Sequence, residues 1–332
     1  MPKHLSAHAK PILMLFLTLL SLAGMGRDSS RAADAGDDRA LQTKLGLFIE
    51  CINHFDSPLR AAYRAYRQTV GILSADPDSK EILDFHGFGI GPTGGYTAQA
   101  EKCLANLDAS LARPPKIGDL DQTAADYAAM LRRLIPLTPA VDAYYAQAAY
   151  RDDRFVRGRT LDETIAPVLN RFALLSDTLR DMLQRETTAL RRRQLAEIEA
   201  REGRKILWQT RNFMIEARVC IDAFDELVER RDLSAETLDR IVAPLQAAFD
   251  GASAYAAAHP DELKAKEPGT VIAWTLVEPQ GALFLRELKD LRRDLADTTL
   301  ADDKLARRVN RGLQSIGVDY NNVIAAYNST IR

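Results

Sequence analysis

From Leu41 to Leu73 the chain repeats its apolar residues at alternating steps of three and four: Leu41, Leu45, Phe48, Ile52, Phe55, Leu59, Tyr63, Tyr66, Val70 and Leu73. That spacing follows a turn of 3.6 residues, so these side chains share one face of a helix while charged and small residues take the other. A strand would send alternate members of the series to opposite faces, and the stretch is far too long for one. The stripe stays in phase across Ser57 and Pro58, where the missing proline amide predicts a kink rather than a domain boundary.

The same period recurs along the chain. Residues 74–96, rich in Gly, Pro and Asp, read as a connector. Thr97 opens a shorter helix to about Leu111, stopped by Pro114 and Pro115. A third helical stretch runs from about Asp119 to Phe155, with a kink expected at Pro136 and Pro139. Thr160 and Glu163 have the spacing of a capping box, which predicts a helix start there. Beyond it Leu161, Ile165, Val168, Phe172, Leu175, Leu179 and Met182 have coiled-coil spacing, with Pro167 early enough to be tolerated.

Glu186 to Lys205 is charged nearly all round, and the apolar stripe resumes at Ile206 with Phe213, Ile221, Phe224 and Val228. Residues 161–231 therefore form one long rod or two helices meeting near Gly203, the rod being the preferred reading. Ser234 restarts a helix that ends near His259 and Pro260, a second connector lies near 258–270, and helices from about Ile272 and Asp302 complete the chain. Only Thr270 to Val277 is ambiguous between strand and helix, and its neighbours favour helix. The expected class is all-α: an elongated bundle of long amphipathic helices, able to carry a protruding rod, with residues 36–332 as a single all-helical domain.

Residues 1–35 have a different character. Lys3 and Lys10 precede an apolar run from Ile12 to Leu20, followed by small and then charged residues, the layout of a secretory signal too short to span a bilayer comfortably. Leu22, Ala23 and Gly24 resemble the residues ahead of a lipoprotein cysteine, but Met25 follows, and a thioether cannot accept the lipid. Cleavage is expected at Ala33, Asp34 and Ala35, or nearer Ala23 and Gly24; an uncleaved signal would be the route to membrane association. The expected location is the periplasm or cell envelope.

Lys plus Arg number 44 against 46 for Asp plus Glu; the leader holds four bases and two acids, so its loss takes the net charge from -2 to -4. Such balance argues against nucleic acid, and the run Arg191, Arg192 and Arg193 sits in mixed helical sequence where a solvated face is expected. Three cysteines in an oxidising compartment leave one unpaired. Cys51 and Cys103 fall on helices that can meet in an antiparallel pairing, so a disulfide between them is a candidate. Cys220 shares the stripe of Phe213, Ala217 and Phe224 and reads as a small buried hydrophobe.

A search for chemistry yields little. Gly89, Gly91 and Gly94 satisfy G-x-G-x-x-G, but no strand precedes them, no Lys-Ser or Lys-Thr follows, and a flexible turn is the expected role. His54, His86 and His259 show no i, i+4 pair for a metal, no Glu-x-x-His pair suits a di-metal bundle, and no G-x-S-x-G elbow raises a serine. Asp152 with Asp153, and Asp302 with Asp303, lie near helix ends among arginines, where solvated ion pairs are expected. No catalytic, cofactor-binding or metal residue is expected, and no cofactor.

Two blocks carry a resemblance: the run from Lys44, Leu45 and Gly46 through Phe48, Glu50, Cys51 and Asn53 to Tyr63 and Tyr66, and Tyr144 and Tyr145 leading to Tyr150, Arg151, Asp152, Asp153, Arg154, Phe155 and Gly158. Ile198, Glu199, Glu202, Gly203 and Arg204 add to it. The chain resembles the YiiG-like family of bacterial exported proteins over about residues 41–330. That resemblance implies an all-helical, often lipid-anchored envelope protein of uncharacterised activity, and brings no catalytic residues with it; Met25 departs from the lipidated pattern. The expected function is a non-enzymatic helical binding or interaction module whose partner is an envelope protein or envelope component. The alternative is a bundle that binds a small molecule or lipid in a pocket lined by Tyr63, Tyr66, Tyr144 and Tyr145.

Overall fold

The computed structural model describes residues 29–81, 83–90, 94–264, 272–297, 299 and 302–330. The leader's apolar run, the lipobox-like residues with Met25, and Gly91 lie outside these, whereas Ala33 to Ala35 fall within the backbone of the first helix. Among the described residues every regular element is helical, as the 3.6-residue stripes require. Among these residues ten α-helices follow one another: α1 (Ser29–Cys51), α2 (Ser57–Ala75), α3 (Thr97–Ala112), α4 (Gly118–Leu134), α5 (Thr138–Ala146), α6 (Val156–Glu202), α7 (Ile206–Glu229), α8 (Ala235–Ala258), α9 (Ala273–Ala296) and α10 (Asp302–Asn328). Contacts divide the chain into two compact units whose described parts are residues 29–187 and 188–330.

In the first unit, α1 and α2 are joined through one π-helical turn, Ile52–Asp56. Proline explains the local widening. Pro58 cannot donate to the turn before it, and the Ser57 amide and hydroxyl both reach back five residues to the Ile52 carbonyl. Leu45, Phe48, Ile52, Phe55, Leu59, Tyr66 and Leu73 are buried along the resulting stripe. Each fully buried side chain of this size contributes on the order of 1.5–3 kcal/mol. Against α1 packs α3, with Cys103 and Leu107 buried, and a disulfide joins Cys51 to Cys103 across a Cα–Cα distance of 4.4 Å. Lys44, wholly buried on α1, donates to the carbonyls of Arg113 (3.2 Å) and Pro115 (2.9 Å) and to the Asp121 carboxylate (2.7 Å), fixing the turn between α3 and α4.

At Pro136 and Pro139 the third stretch breaks into α4, a short 3-10 turn and α5, as the two missing amides demand. The helix expected to start at Thr160 begins earlier, at Val156. Asp153 supplies the cap: its carboxylate accepts the free amide of Arg157 at 3.1 Å, leaving Thr160 inside the helix. Gly158 in the first turn of α6 is sterically required, because a Cβ there would lie 2.1 Å from the buried Phe155 ring.

The alternatives over residues 161–231 resolve into two helices. Gly203, at φ +77°, takes the left-handed position that ends α6, and its amide closes on the Glu199 carbonyl at 2.9 Å. Nor is the charged stretch polar on every side, since Leu190, Leu195 and Ile198 are buried. In the second unit Ser234 caps α8 through a reciprocal pair with Thr237. Phe213 and Phe224 of α7, Leu238 and Leu245 of α8, Trp274, Phe284 and Leu288 of α9, and Ile316, Tyr320 and Val323 of α10 then share one core.

Candidate functional site

The four tyrosines singled out for a pocket lie in the first unit. Tyr66, Tyr144 and Tyr145 are buried. Tyr66 touches Phe85, Phe88 and Tyr145 at centroid distances of 5.1, 5.5 and 6.0 Å, and Tyr145 touches Phe85 and Tyr144 at 5.0 and 5.3 Å. These rings fill the space between α2, the connector and α5 with one another. Two hydroxyls leave the cluster for α6 and its cap: Tyr66 donates to Asp162 (3.1 Å) and Tyr144 to Asp153 (2.9 Å). Burial, followed by the neighbouring carboxylate, pushes the Tyr66 phenol upward, so it remains a donor at neutral pH. Half-buried Tyr63 stands apart, meeting Phe172 edge-on and donating to Asn170 at 2.8 Å.

The sequence search passed over Asp56, the last residue of the π turn. Its carboxylate is wholly buried and accepts from Tyr127 Oη of α4 (2.7 Å), and from Ser176 Oγ (3.0 Å) and Arg180 Nε (2.8 Å) of α6. Arg180 also donates to Ser57 Oγ at 2.8 Å, and Arg60 to Ser176 Oγ at 3.0 Å. This network joins the π turn to both facing helices. Because donors of the same chain hold both oxygens, the group is a keystone of packing rather than a free acid or base.

Asp142 of α5 is a second such carboxylate. It accepts the amides of Phe88 (2.6 Å) and Gly89 (2.9 Å), within the glycine connector. Burial drives it above the ordinary carboxylate range, against the lowering effect of those amides. Cys220 is buried in the second unit, and burial, then Glu216 and Asp222, pushes its thiol up to about 12. His54 is exposed, and His259 stacks on Tyr255 with centroids 4.1 Å apart at the end of α8. Asp153 serves the cap of α6, and Asp303 pairs with Arg307 at 2.7 Å. No cluster of three metal-ligating side chains occurs among the described residues, and no described helix is long and apolar enough to cross a membrane.

An open groove of about 300 Å³ runs between α4 and α6. Asp126, Ala129, Met130 and Arg133 line one wall at helical spacing; Pro167, Val168, Arg171 and Leu175 line the other. The two walls meet beneath through Tyr127 and Phe172, whose rings are 6.1 Å apart. The seam on α6 is displaced from the sequence reading. It centres on Ile165, Leu169, Phe172, Ser176, Leu179 and Leu183, all buried, so that half-buried Val168 faces the groove edge.

A second groove, of about 530 Å³ between α9 and α10 in the other unit, is lined by Asp290, Arg293, Asp294 and Arg308 among others. There Arg308 pairs with Asp294 and Arg293 with Asp290, both at 2.6 Å, and Glu287, Asp297 and Arg311 complete the charged lining, so that carboxylates outnumber guanidiniums.

Comparison with known proteins places this geometry in a context. Residues 39–332 match a family described as "Protein of unknown function (DUF3829)". The chain is 24% identical over 211 residues to a protein of Escherichia coli (strain K12) described as "Uncharacterized protein YiiG"; the match covers 63% of this chain and 58% of that protein. No solved structure matches.

Proposed function

Because the chain belongs to the DUF3829 family of proteins of unknown function, we propose that it works as a non-enzymatic helical binding module of the cell envelope, with the groove between α4 and α6 as its ligand-facing surface. One observation carries this reading: the groove sets apolar side chains beside two guanidiniums, Arg133 and Arg171, with a single carboxylate, whereas in the larger groove of the second unit carboxylates outnumber guanidiniums and hold two of them, Arg293 and Arg308. A concave apolar site with a few convergent polar groups is the usual form of a binding site. The buried groups that could serve chemistry are otherwise engaged, Asp56 by donors of its own chain and Cys220 by a burial that keeps its thiol protonated. The Cys51–Cys103 disulfide supports work outside the cytosol, where such bonds persist.

A photoreactive residue in place of Ala129, exposed on the groove wall, tests the reading against the same residue in place of Ala140, exposed on α5. Cross-linked adducts in intact cells are expected from position 129 and not from 140. Equal labelling at both, or none at either, would remove the groove from consideration.

A further inference from the structure

Several arginines of the first unit are held by partners. Arg132, the neighbour of Arg133, holds Asp108 with 2.7 Å contacts to both oxygens, while Arg60 and Arg180 are engaged in the Asp56 network. By contrast, no ion pair or hydrogen bond links the guanidinium of Arg133 or of Arg171 to another described residue. Both border the same groove. Its one carboxylate, Asp126, accepts from Gln122 at 3.0 Å, so the groove carries a net positive charge.

Beside these arginines the lining includes the aliphatic side chains of Met130, Val168 and Leu175. A helical wall has used nearly all its amides and carbonyls internally, the carbonyl opposite Pro167 excepted, so it offers no ladder of main-chain partners to an extended peptide. The space is also at the low end of the range for small ligands, roughly 300–1,000 Å³. Met130 adds an unbranched, adaptable surface suited to a flexible chain.

We propose that the groove binds an anionic amphiphile, a carboxylate or phosphate head on a short alkyl chain, with Arg133 and Arg171 gripping the head and Met130, Val168 and Leu175 covering the chain. Guanidinium forks match both heads in geometry and charge. A free fatty acid and a phosphate-bearing lipid share this chemistry. The proposal rests on the groove being the ligand-facing surface and specifies what enters it.

Titration calorimetry on the full chain with decanoate and decyl phosphate below their micellar concentrations separates the two sources. Decanol and inorganic phosphate probe tail and head alone, and a synthetic acidic amphipathic helix stands for a protein partner. Saturable binding of one or both amphiphiles is expected, weakened about tenfold or more by Arg133→Gln and by Arg171→Gln, as loss of a charged hydrogen bond implies. Arg132→Gln, outside the groove lining, should leave the affinity unchanged. Decanol binding as tightly as decanoate, indifference to both groove variants, or no binding of either amphiphile would overturn the proposal. If only the helical peptide binds, and the groove variants weaken it, the amphiphile falls while the groove stands; if groove variants affect no probe and position 129 also fails to cross-link, both readings fall. All three arginines are exposed, so circular dichroism and melting temperature should match the unsubstituted chain.

Discussion

The phenol of Tyr127 lies 2.7 Å from the carboxylate of Asp56, and both side chains are wholly buried. Burial first, and the Asp56 charge next, push the phenol well above its ordinary range, so it donates throughout the neutral region. Tyr127→Phe keeps the ring and deletes the donor. Urea unfolding is expected to show a loss of about 1–3 kcal/mol. Asp56→Ala strands Tyr127, Ser176 and Arg180 together, and a larger loss of about 3–5 kcal/mol is expected. A neutral result for both would mean that the network contributes nothing to stability.

Cys220 should be invisible to thiol reagents in the folded chain. At pH 8 the unreduced protein is expected to react with no thiol of DTNB-accessible kind, then with one after unfolding and with three after reduction as well. The pH dependence has a definite sign. Unfolded cysteine releases its proton near about 8.5, whereas the folded thiol holds it to about 12. Stability should therefore fall as pH rises between those values, by at most about 1.4 kcal/mol per pH unit from this group. Cys220→Ala should flatten that part of the curve, and an unchanged slope would assign it to other residues.

Reduction of the Cys51–Cys103 bond frees a loop of sequence separation 52. Chain-entropy arguments put the loss near 4 kcal/mol. Melting with and without a reductant checks it, and the Cys51→Ala, Cys103→Ala double variant should melt with the reduced protein.

Gly158→Ala reverses an ordinary expectation. Alanine inside a helix is normally favoured over glycine by about 1 kcal/mol, but here its Cβ would meet the Phe155 ring at 2.1 Å. Displacing a buried ring should cost about 1–3 kcal/mol. A thermal melt showing stabilisation would mean that the ring moves aside freely.

The helices were legible because burial leaves a period in the sequence, and Ser234 announced its helix through local chemistry alone. At the start of α6 the local signal misled: Thr160 with Glu163 has capping-box spacing, but the fold around Tyr144 gives the cap to Asp153, which in the sequence reads only as a member of a solvated ion pair. Gly203 was visible, yet nothing local fixed its left-handed backbone. The sites were harder still, because their partners are distant in sequence. Asp56 meets side chains 71 to 124 residues away, and on a helical stripe a buried carboxylate reads like an exposed one. Likewise, Arg132 and Arg133 are indistinguishable until Asp108 is seen to hold the first. The grouping of Tyr66 with Tyr144 and Tyr145 followed from aromatic content; that Phe85 and Phe88 complete the cluster depends on how the connector folds back.

The connector itself bears on how glycine motifs are interpreted. Gly89 begins a pattern associated with nucleotide phosphates, yet its amide already grips a carboxylate delivered by α5. The amides of Phe88 and Gly89 are already taken by a carboxylate of their own chain, so an incoming phosphate would first have to evict Asp142 from them. Such self-ligation turns a recognition device into a clasp that fastens the loop.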